Sequence, residues 1–479
     1  MAYGHGLKAR QQETSISTPL TAESGLPFIV GTAPVHTIGG KVNDPILAYS
    51  YAEAVSAAGY SDDWAKYTIC ELIYSQFMLY KCAPIVFVNV LDPEKHKKAV
   101  QPQDYEITEN QVLLPFEAIA GSVTVKIGDG EALKASDDYE VFYDSANLVL
   151  EVIDGGGIPT GTEKLNIGFN AVDPSKVSDA DIIGGFNVTT KQSTGFELLD
   201  MVFPKYGIVP DLVLCPGWSH KSEVAAIMGV KAANINSLFE GKALLDADCS
   251  EVRHYTDVPA WKKKQNIFQK TQLLCWPMCG LGEREFHKSV QAAGLMATVD
   301  TDNGGCPAES PSNKNLQIDR TILADGTEVL LNPDQANYLN SQGIVTAMNF
   351  IGGFVLWGDE TACFPANRDP KDYFINVSRM FAWVANSVIL TYWKKCDKNL
   401  NRRLIDSIVD SINIWLNGLK NEEKILGGRV EFREDENSLV SLMDGKAVFH
   451  IYLTPCSPAR EIEFVLEYDV GYLSELFAA

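Results

Sequence analysis

The sequence has no uninterrupted run of 18 or more apolar residues in its 479 positions. A membrane-spanning helix needs about 20, so none is expected. Basic residues are also in deficit: 40 Lys and Arg stand against 62 Asp and Glu, a net charge of -22. That balance argues against a nucleic-acid footprint and against docking on an anionic membrane. The opening stretch MAYGHGLKARQQETSISTP lacks the apolar core of a secretory signal. The expectation is a chain kept in the cytoplasm, or one that leaves by a route other than secretion.

The vocabulary of catalysis is equally thin. None of the seven histidines stands at i, i+4 with another, and no HExxH, P-loop or dinucleotide fingerprint is present. Gly280-Leu-Gly282 lacks the third glycine, and the acid pairs Asp137/Asp138 and Asp246/Asp248 lack the loop spacing of a calcium site. The ten cysteines are scattered, and the closest pair, Cys275 and Cys279, has no second pair nearby. Zinc usually takes two short-spaced pairs, so buried reduced thiols are expected instead. Ser219-His220 follows a strand, as a hydrolase nucleophile would. Its flanks, Pro216-Gly-Trp218 and Lys221, are not G-x-S-x-G, and Ser219 reads as a helix N-cap. No cofactor, metal or enzymatic activity is expected.

What is present is a layered pattern. Residues 1–25 are polar and β-capable and read as an extended arm. From Leu26 onward, PFIVGT, a helix over 45–59, a second helix opened by Ser61, and the continuous apolar strand PIVFVNVLD predict a parallel α/β layer. Residues 101–181 then carry 16 acids and 4 lysines, with short β runs (SVTVKI, YEVFY, NLVLEVI, KLNIGF) broken by turn residues. This predicts a small acidic all-β domain inserted into the α/β domain. The α/β pattern resumes with DLVLCPG, a helix after Ser219, QLLCWPM, GIVTAMNF and GGFVLWGDE. From 367 the layout is α+β. A long helix ends at YWKK, and a second one over Asn399–Leu419, capped by Asp397, carries an apolar stripe of Leu400, Leu404, Ile408, Ile412, Trp415 and Leu419. Three strands follow. In the last, Ile462, Phe464, Leu466, Tyr468 and Val470 point one way and Glu461, Glu463, Glu467 and Asp469 the other, the signature of a half-buried strand. The fold class is therefore α/β and α+β multidomain: arm 1–25, α/β domain 26–97 and 177–366, insert 98–176, C-terminal domain 367–479.

Arg402 and Arg403 open the second helix. Spacing alone allows either an intrahelical pair, Arg402 with Asp406, or a positive spot that docks on another subunit.

The segments DPKDYFINVSRMFAWVANSVILTYWKKCDKNLNRRLIDSIVDSINIWLNGL, LGGRVEFREDEN and FHIYLTPCSPAREIEFVLEYDVGYL closely resemble the C-terminal domain of tail sheath proteins of contractile-tailed bacteriophages, of the P2-like and Mu-like kind. GLPFIVGTAPVH, VNDPILAYSYAEA and PIVFVNVLDP match the same family, which includes sheaths of R-type bacteriocins and of defective phage tails. The resemblance implies a structural subunit stacked in hexameric rings around an inner tail tube. It is assembled in the host bacterial cytoplasm as an extended helical polymer, and it contracts to drive the tube through a target envelope. Baseplate and tail-terminator proteins are implied partners; nucleic acid and membrane are not. It further implies linkage by strand addition to a neighbour's C-terminal sheet. The links would be the arm residues Gln12, Glu13, Thr14, Ser15, Ile16 and Ser17 and the terminal residues Glu461, Ile462, Glu463, Phe464, Val465, Leu466, Glu467 and Tyr468. A tube-facing helix would carry Arg402, Arg403, Asp406, Asp410 and Asn413. Two rivals are a hydrolase built on Ser219 and His220 and a non-contractile adhesin or shell protein using the acidic insert. A bacteriocin sheath is the alternative within the family.

Overall fold

A computed structural model describes residues 20–128 and 130–477. Its centre is an eight-stranded sheet. In spatial order the strands are Gly353–Trp357, Ile344–Phe350, Gln272–Cys275, Lys242–Asp246, Leu212–Leu214, Pro27–Gly31, Ile85–Asn89 and Ile46–Ala48. The inner six run parallel and the two edges are antiparallel. Alternation along each strand feeds two separate apolar layers. Phe28, Val30, Val86, Val88, Val213 and Leu245 enter one; Ile29, Phe87, Leu212, Leu214, Leu244 and Leu273 enter the other. Burial on both faces is why these strands read as unbroken apolar runs.

Strand order reverses between Pro27–Gly31 and Leu212–Leu214, where open α/β sheets place ligands. Here that crevice is filled by the protein itself. The Thr32 amide donates to Thr68 Oγ1 (3.3 Å), the Thr68 amide to Thr32 Oγ1 (3.2 Å), and the Thr32 hydroxyl to the Lys66 carbonyl (2.7 Å).

Several local expectations are corrected. The helix expected over 45–59 is a short strand followed by the helix Tyr51–Ala58. Ser50 caps it, its hydroxyl accepting the Glu53 amide, and Gly59 ends it with φ 72°, a value glycine adopts without strain. The helix expected to open at Ser61 begins at Thr68, after a turn, and continues as a π-helical segment, Ser75–Tyr80. Ser219 is not an N-cap: the helix Ser222–Ala233 is preceded by Lys221, and Ser219 is buried against Asp246.

The insert contains two three-stranded antiparallel sheets. Lys97–Glu106, Lys164–Val172 and Thr124–Lys126 form one; Gln111–Pro115, Asn147–Val152 and Tyr139–Tyr143 form the other. Val112, Leu114, Leu148, Leu150, Leu165 and Ile167 make their shared core. At its root, His36 Nε2 donates to the Phe116 carbonyl (2.9 Å) and Lys66 pairs with Glu117 (2.8 Å).

In the C-terminal region the helices Ile375–Tyr392 and Arg402–Asn421 and the antiparallel strands Ile425–Glu431 and His450–Pro455 enclose a core of Met380, Trp383, Ile412, Leu416, Leu419 and Val430. The second helix starts three residues later than expected. Asn401, not Asp397, caps it by accepting the Leu404 amide (2.9 Å).

One buried pair makes the fold sensitive to alkali. The buried carboxylate of Glu71 meets the ring Nδ1 (2.8 Å) and the backbone amide (2.6 Å) of His287. Burial opposes the His287 charge, but the Glu71 charge, aided by Asp246, overrides it and holds the ring up to about 9. The folded chain therefore binds more protons than the unfolded one between about pH 6.5 and 9. This contribution to stability is complete below pH 6.5 and is lost as pH rises through about 9. Thermal unfolding followed from pH 6 to 9.5 is expected to show a falling Tm, with the slope reduced in His287→Gln. Equal slopes in both proteins would remove this assignment.

Candidate subunit interfaces

The helix Ile375–Tyr392 organises the surfaces from which the two chain ends depart. Arg379, Trp383, Ser387 and Thr391 recur at i, i+4 spacing and so share one face. That face holds the start of the described chain. Arg379 donates to Ser24 Oγ (3.3 Å), Trp383 Nε1 to the Ala22 carbonyl (3.0 Å), the Ala22 amide to Ser387 Oγ (2.9 Å), and the Leu20 amide to Thr391 Oγ1 (2.9 Å). Toward the other end of the helix, Asn376 Nδ2 donates to the Cys456 carbonyl (3.0 Å) just before the terminal segment. The two exits lie about 22 Å apart along the helix, from 15 residues at 1.5 Å each. A polar row inside an otherwise apolar helix is the sequence signal for this track; composition-level reading passes over it.

Beneath the track lies a buried charge cluster. The Arg379 guanidinium spans Asp300 (Nη1 to Oδ1, 3.1 Å, and Nη2 to Oδ2) and Asp211 (2.7 Å), while Ser24 Oγ donates to Asp300 (2.6 Å). Arg379 and Asp300 are essentially excluded from solvent. The cluster joins the arm root, the α/β sheet and the C-terminal helix at one point.

The predicted arm residues Gln12, Glu13, Thr14, Ser15, Ile16 and Ser17 lie outside the described residues. The predicted terminal strand pairs with none of the described residues. Residues 461–469 form neither ladder nor helix, and every one is exposed, Phe464 to 84% and Leu466 to 95%. The half-buried strand expected there is therefore absent, because no sheet edge among the described residues receives it. The strands Ile425–Glu431 and His450–Pro455 make a sheet of two, with both outer edges open. Ile451 and Leu453 on its core side are only partly covered.

Of the predicted tube-facing residues, Arg402 and Arg403 are exposed at the helix start, and Arg402 Nε pairs with Asp406 (2.8 Å) as the spacing allowed. Asp410 is exposed. Asn413 is engaged elsewhere: its Oδ1 accepts the Val430 amide (2.9 Å) and its Nδ2 donates to the Val430 carbonyl (3.3 Å), which fixes the helix to the adjacent strand. Sequence reading missed Lys394, Lys395 and Lys398, which precede the arginines. Among the described residues these three lysines and Arg403 have no ion-pair partner. Lys395, Lys398 and Arg403, with Asp397 among them, rim a shallow cleft of about 590 Å³, a net positive corner on an acidic chain.

The hydrolase reading loses its nucleophile. Ser219 donates to Asp246 Oδ2 (3.3 Å) and accepts the Asp246 amide (3.0 Å); Ser289 occupies the same carboxylate through its amide (2.9 Å) and hydroxyl (2.5 Å). The group closes the ends of the sheet strands. The cysteines are unpaired and seven of the ten are buried.

No protein-family model matches the chain. Among curated proteins, the tail sheath protein of Burkholderia phage BcepMu is 27% identical, over 99% of this chain and 98% of its own length. The chain is similar to a phage tail sheath protein over nearly its whole length. The tail sheath protein of Escherichia phage P2 is 24% identical over 60% of this chain and 70% of its own length. Among solved structures, the contracted sheath complex of an extracellular contractile injection system, PVC, aligns with a TM-score of 0.58 at 12% identity, covering 98% and 99% of the two chains. A crystal structure of a sheath tail protein from Desulfitobacterium hafniense aligns at 0.51, with 11% identity and coverage of 94% and 100%. At such identities the structural likeness speaks for the sheath fold; the sequence relatives carry the functional assignment.

Proposed function

We propose that this chain is the subunit of a contractile tail sheath. It stacks as hexameric rings around an inner tube, is held extended until a baseplate signal, and contracts to push the tube through a cell envelope. It is a structural protein with no catalytic role, assembled in the bacterial cytoplasm and carried on a virion tail. Residues 1–25 act as a linking arm, the acidic insert 98–176 faces outward, and 367–479 faces the tube.

The observation that carries the reading is a matched pair of incomplete parts. One is the two-stranded sheet with open edges; the other is an unpaired terminal segment with period-2 apolar residues. A strand added from another copy supplies main-chain hydrogen bonds and covers the exposed apolar face. Such a link survives large rigid-body movement, because its bonds are local to the joint. Head-to-tail exchange that does not close on itself generates a helical polymer.

Negative-stain microscopy of the concentrated protein tests the assembly. Hollow striated tubes are expected from the full chain, and a folded monomer from a chain lacking residues 1–19. Normal tubes from the shortened chain would remove the arm from the account.

The positive corner faces the tube in this reading. Lys398→Glu with Arg403→Glu is expected to leave self-assembly intact and to abolish co-sedimentation with the tube. Wild-type binding should weaken with rising salt as charges are screened. Unchanged co-sedimentation of the charge-reversed protein would place the tube contact elsewhere.

A further inference from the structure

Two apolar surfaces in the C-terminal region have no cover among the described residues. One is the short helix Leu439–Met443, which lies in the connection between Ile425–Glu431 and His450–Pro455 and exposes Leu439 to 80% and Met443 to 87%. Val448, farther along the same connection, is also exposed. The other is the final 3-10 segment Val470–Phe477, where Val470, Tyr472 and Leu476 are exposed. Soluble monomers seldom leave grouped apolar side chains open on two elements of one region.

We propose that the helix Leu439–Met443 is a socket for the Val470–Phe477 segment of a second copy of this chain. The inference rests on the reading that residues 461–469 add to a neighbour's sheet, and it names what happens beyond the end of that strand. Register decides the geometry. An incoming segment antiparallel to His450–Pro455 places Ile462 beside Pro455, Phe464 beside Leu453 and Leu466 beside Ile451, and runs toward His450. Nine residues extend about 30 Å, whereas the six of His450–Pro455 extend about 20 Å. The incoming strand therefore overshoots the His450 end, which is where the connection carrying Leu439 and Met443 begins. Residues 470–477 arrive at that surface with Val470, Tyr472 and Leu476 still uncovered. The same register places Ile462, Phe464 and Leu466 as a continuation of the row holding Ile451 and Leu453, so one strand and one turn cover both open surfaces.

This arrangement gives the joint two parts. The strand supplies hydrogen bonds that any sequence could make, and the socket fixes how far the strand slides. A period-2 strand tolerates two-residue slips; a filled apolar socket does not.

Crosslinking tests the contact directly in assembled protein. Met443→Cys and Leu476→Cys chains, each with exposed Cys396 replaced by Ser, are mixed, assembled and treated with a short bismaleimide. A covalent dimer is expected from the mixture and not from either chain alone. As a second reading, Leu439→Asp with Met443→Asp, and separately a chain ending at Asp469, are each expected to raise the critical concentration for polymerisation roughly tenfold. Combining them should add little, because both remove one contact. The altered side chains are exposed, so folding is unaffected. A parallel pair, Phe464→Cys with Leu453→Cys, reports the strand itself. Crosslinking of that pair without the 443–476 pair overturns the socket and leaves strand addition standing. Absence of both crosslinks in a formed polymer overturns strand addition too. Wild-type polymerisation by the aspartate variant also overturns the socket.

Discussion

A chain ending at Arg460 is expected to fold normally and to fail entirely to polymerise. Every residue from 461 to 470 is exposed, so that stretch contributes no buried side chain to the folded core. The melting temperature should stay within about 1 °C of the full chain, since surface changes away from packed features rarely move stability. Assembly should behave differently. A strand added at a sheet edge makes several main-chain bonds, each contributing about 0.5–1.5 kcal/mol. Covering Ile462, Phe464 and Leu466 adds roughly 1.5–3 kcal/mol for each fully buried side chain. Loss of all of this at every joint of a polymer is not recoverable by raising concentration over the accessible range. Sedimentation velocity would show a single slow species from the truncated protein, where the full chain pellets. Polymer of normal width from the truncated chain would mean that residues 461–479 link nothing.

Replacing Arg379 by Met is expected to be the most damaging single change to the fold itself. The guanidinium is the only cation shown in contact with Asp300 and Asp211 among the described residues, and both it and Asp300 are sealed from water. Its removal leaves a buried carboxylate without compensation, a loss of about 3–5 kcal/mol. For a protein of this size that lowers Tm by roughly 3–5 °C. Arg379→Lys should fall between, since one ammonium cannot reproduce the fork that spans two carboxylates and Ser24. Asp300→Asn added to Arg379→Met should recover part of the loss, because the orphaned charge is then gone. Calorimetry of the three proteins checks the order. A Tm for Arg379→Met within 2 °C of the parent would show that the cluster carries no such energy. The cluster also joins the arm root to both domains, so Arg379→Met should expose residues 20–24 to protease before the core opens.

Periodicity made the α/β layer legible, because a strand buried on both faces must read as an unbroken apolar run. PFIVG, LLC and IVFVN do so and land in the central sheet. The same logic failed for Lys97–Glu106, whose KKAVQPQDYE is held by main-chain pairing with Lys164–Val172 rather than by side-chain burial. Ser219 was misread because a serine before a helix is usually a cap, whereas here a partner 27 residues away, Asp246, takes its hydroxyl. No local rule contains that distance. The interface was legible in a different sense. The alternation from Ile462 to Val470 announces a strand, yet the single chain gives it no neighbour. Local pattern and isolated structure disagree there because the pairing that satisfies the pattern belongs to another copy. Asn413, assigned to the tube from its helical face, points instead to Val430; a face defined by polarity alone does not distinguish a side chain that binds a partner from one that binds its own fold.

The most direct measurement is electron microscopy of this chain co-expressed with its inner tube protein, before and after a destabilising trigger such as mild denaturant. The account predicts striated cylinders around the tube in two forms, a long narrow one and a shorter, wider one that leaves tube protruding. Bare tubes beside monomeric chain, or cylinders of a single length under every condition, would contradict it.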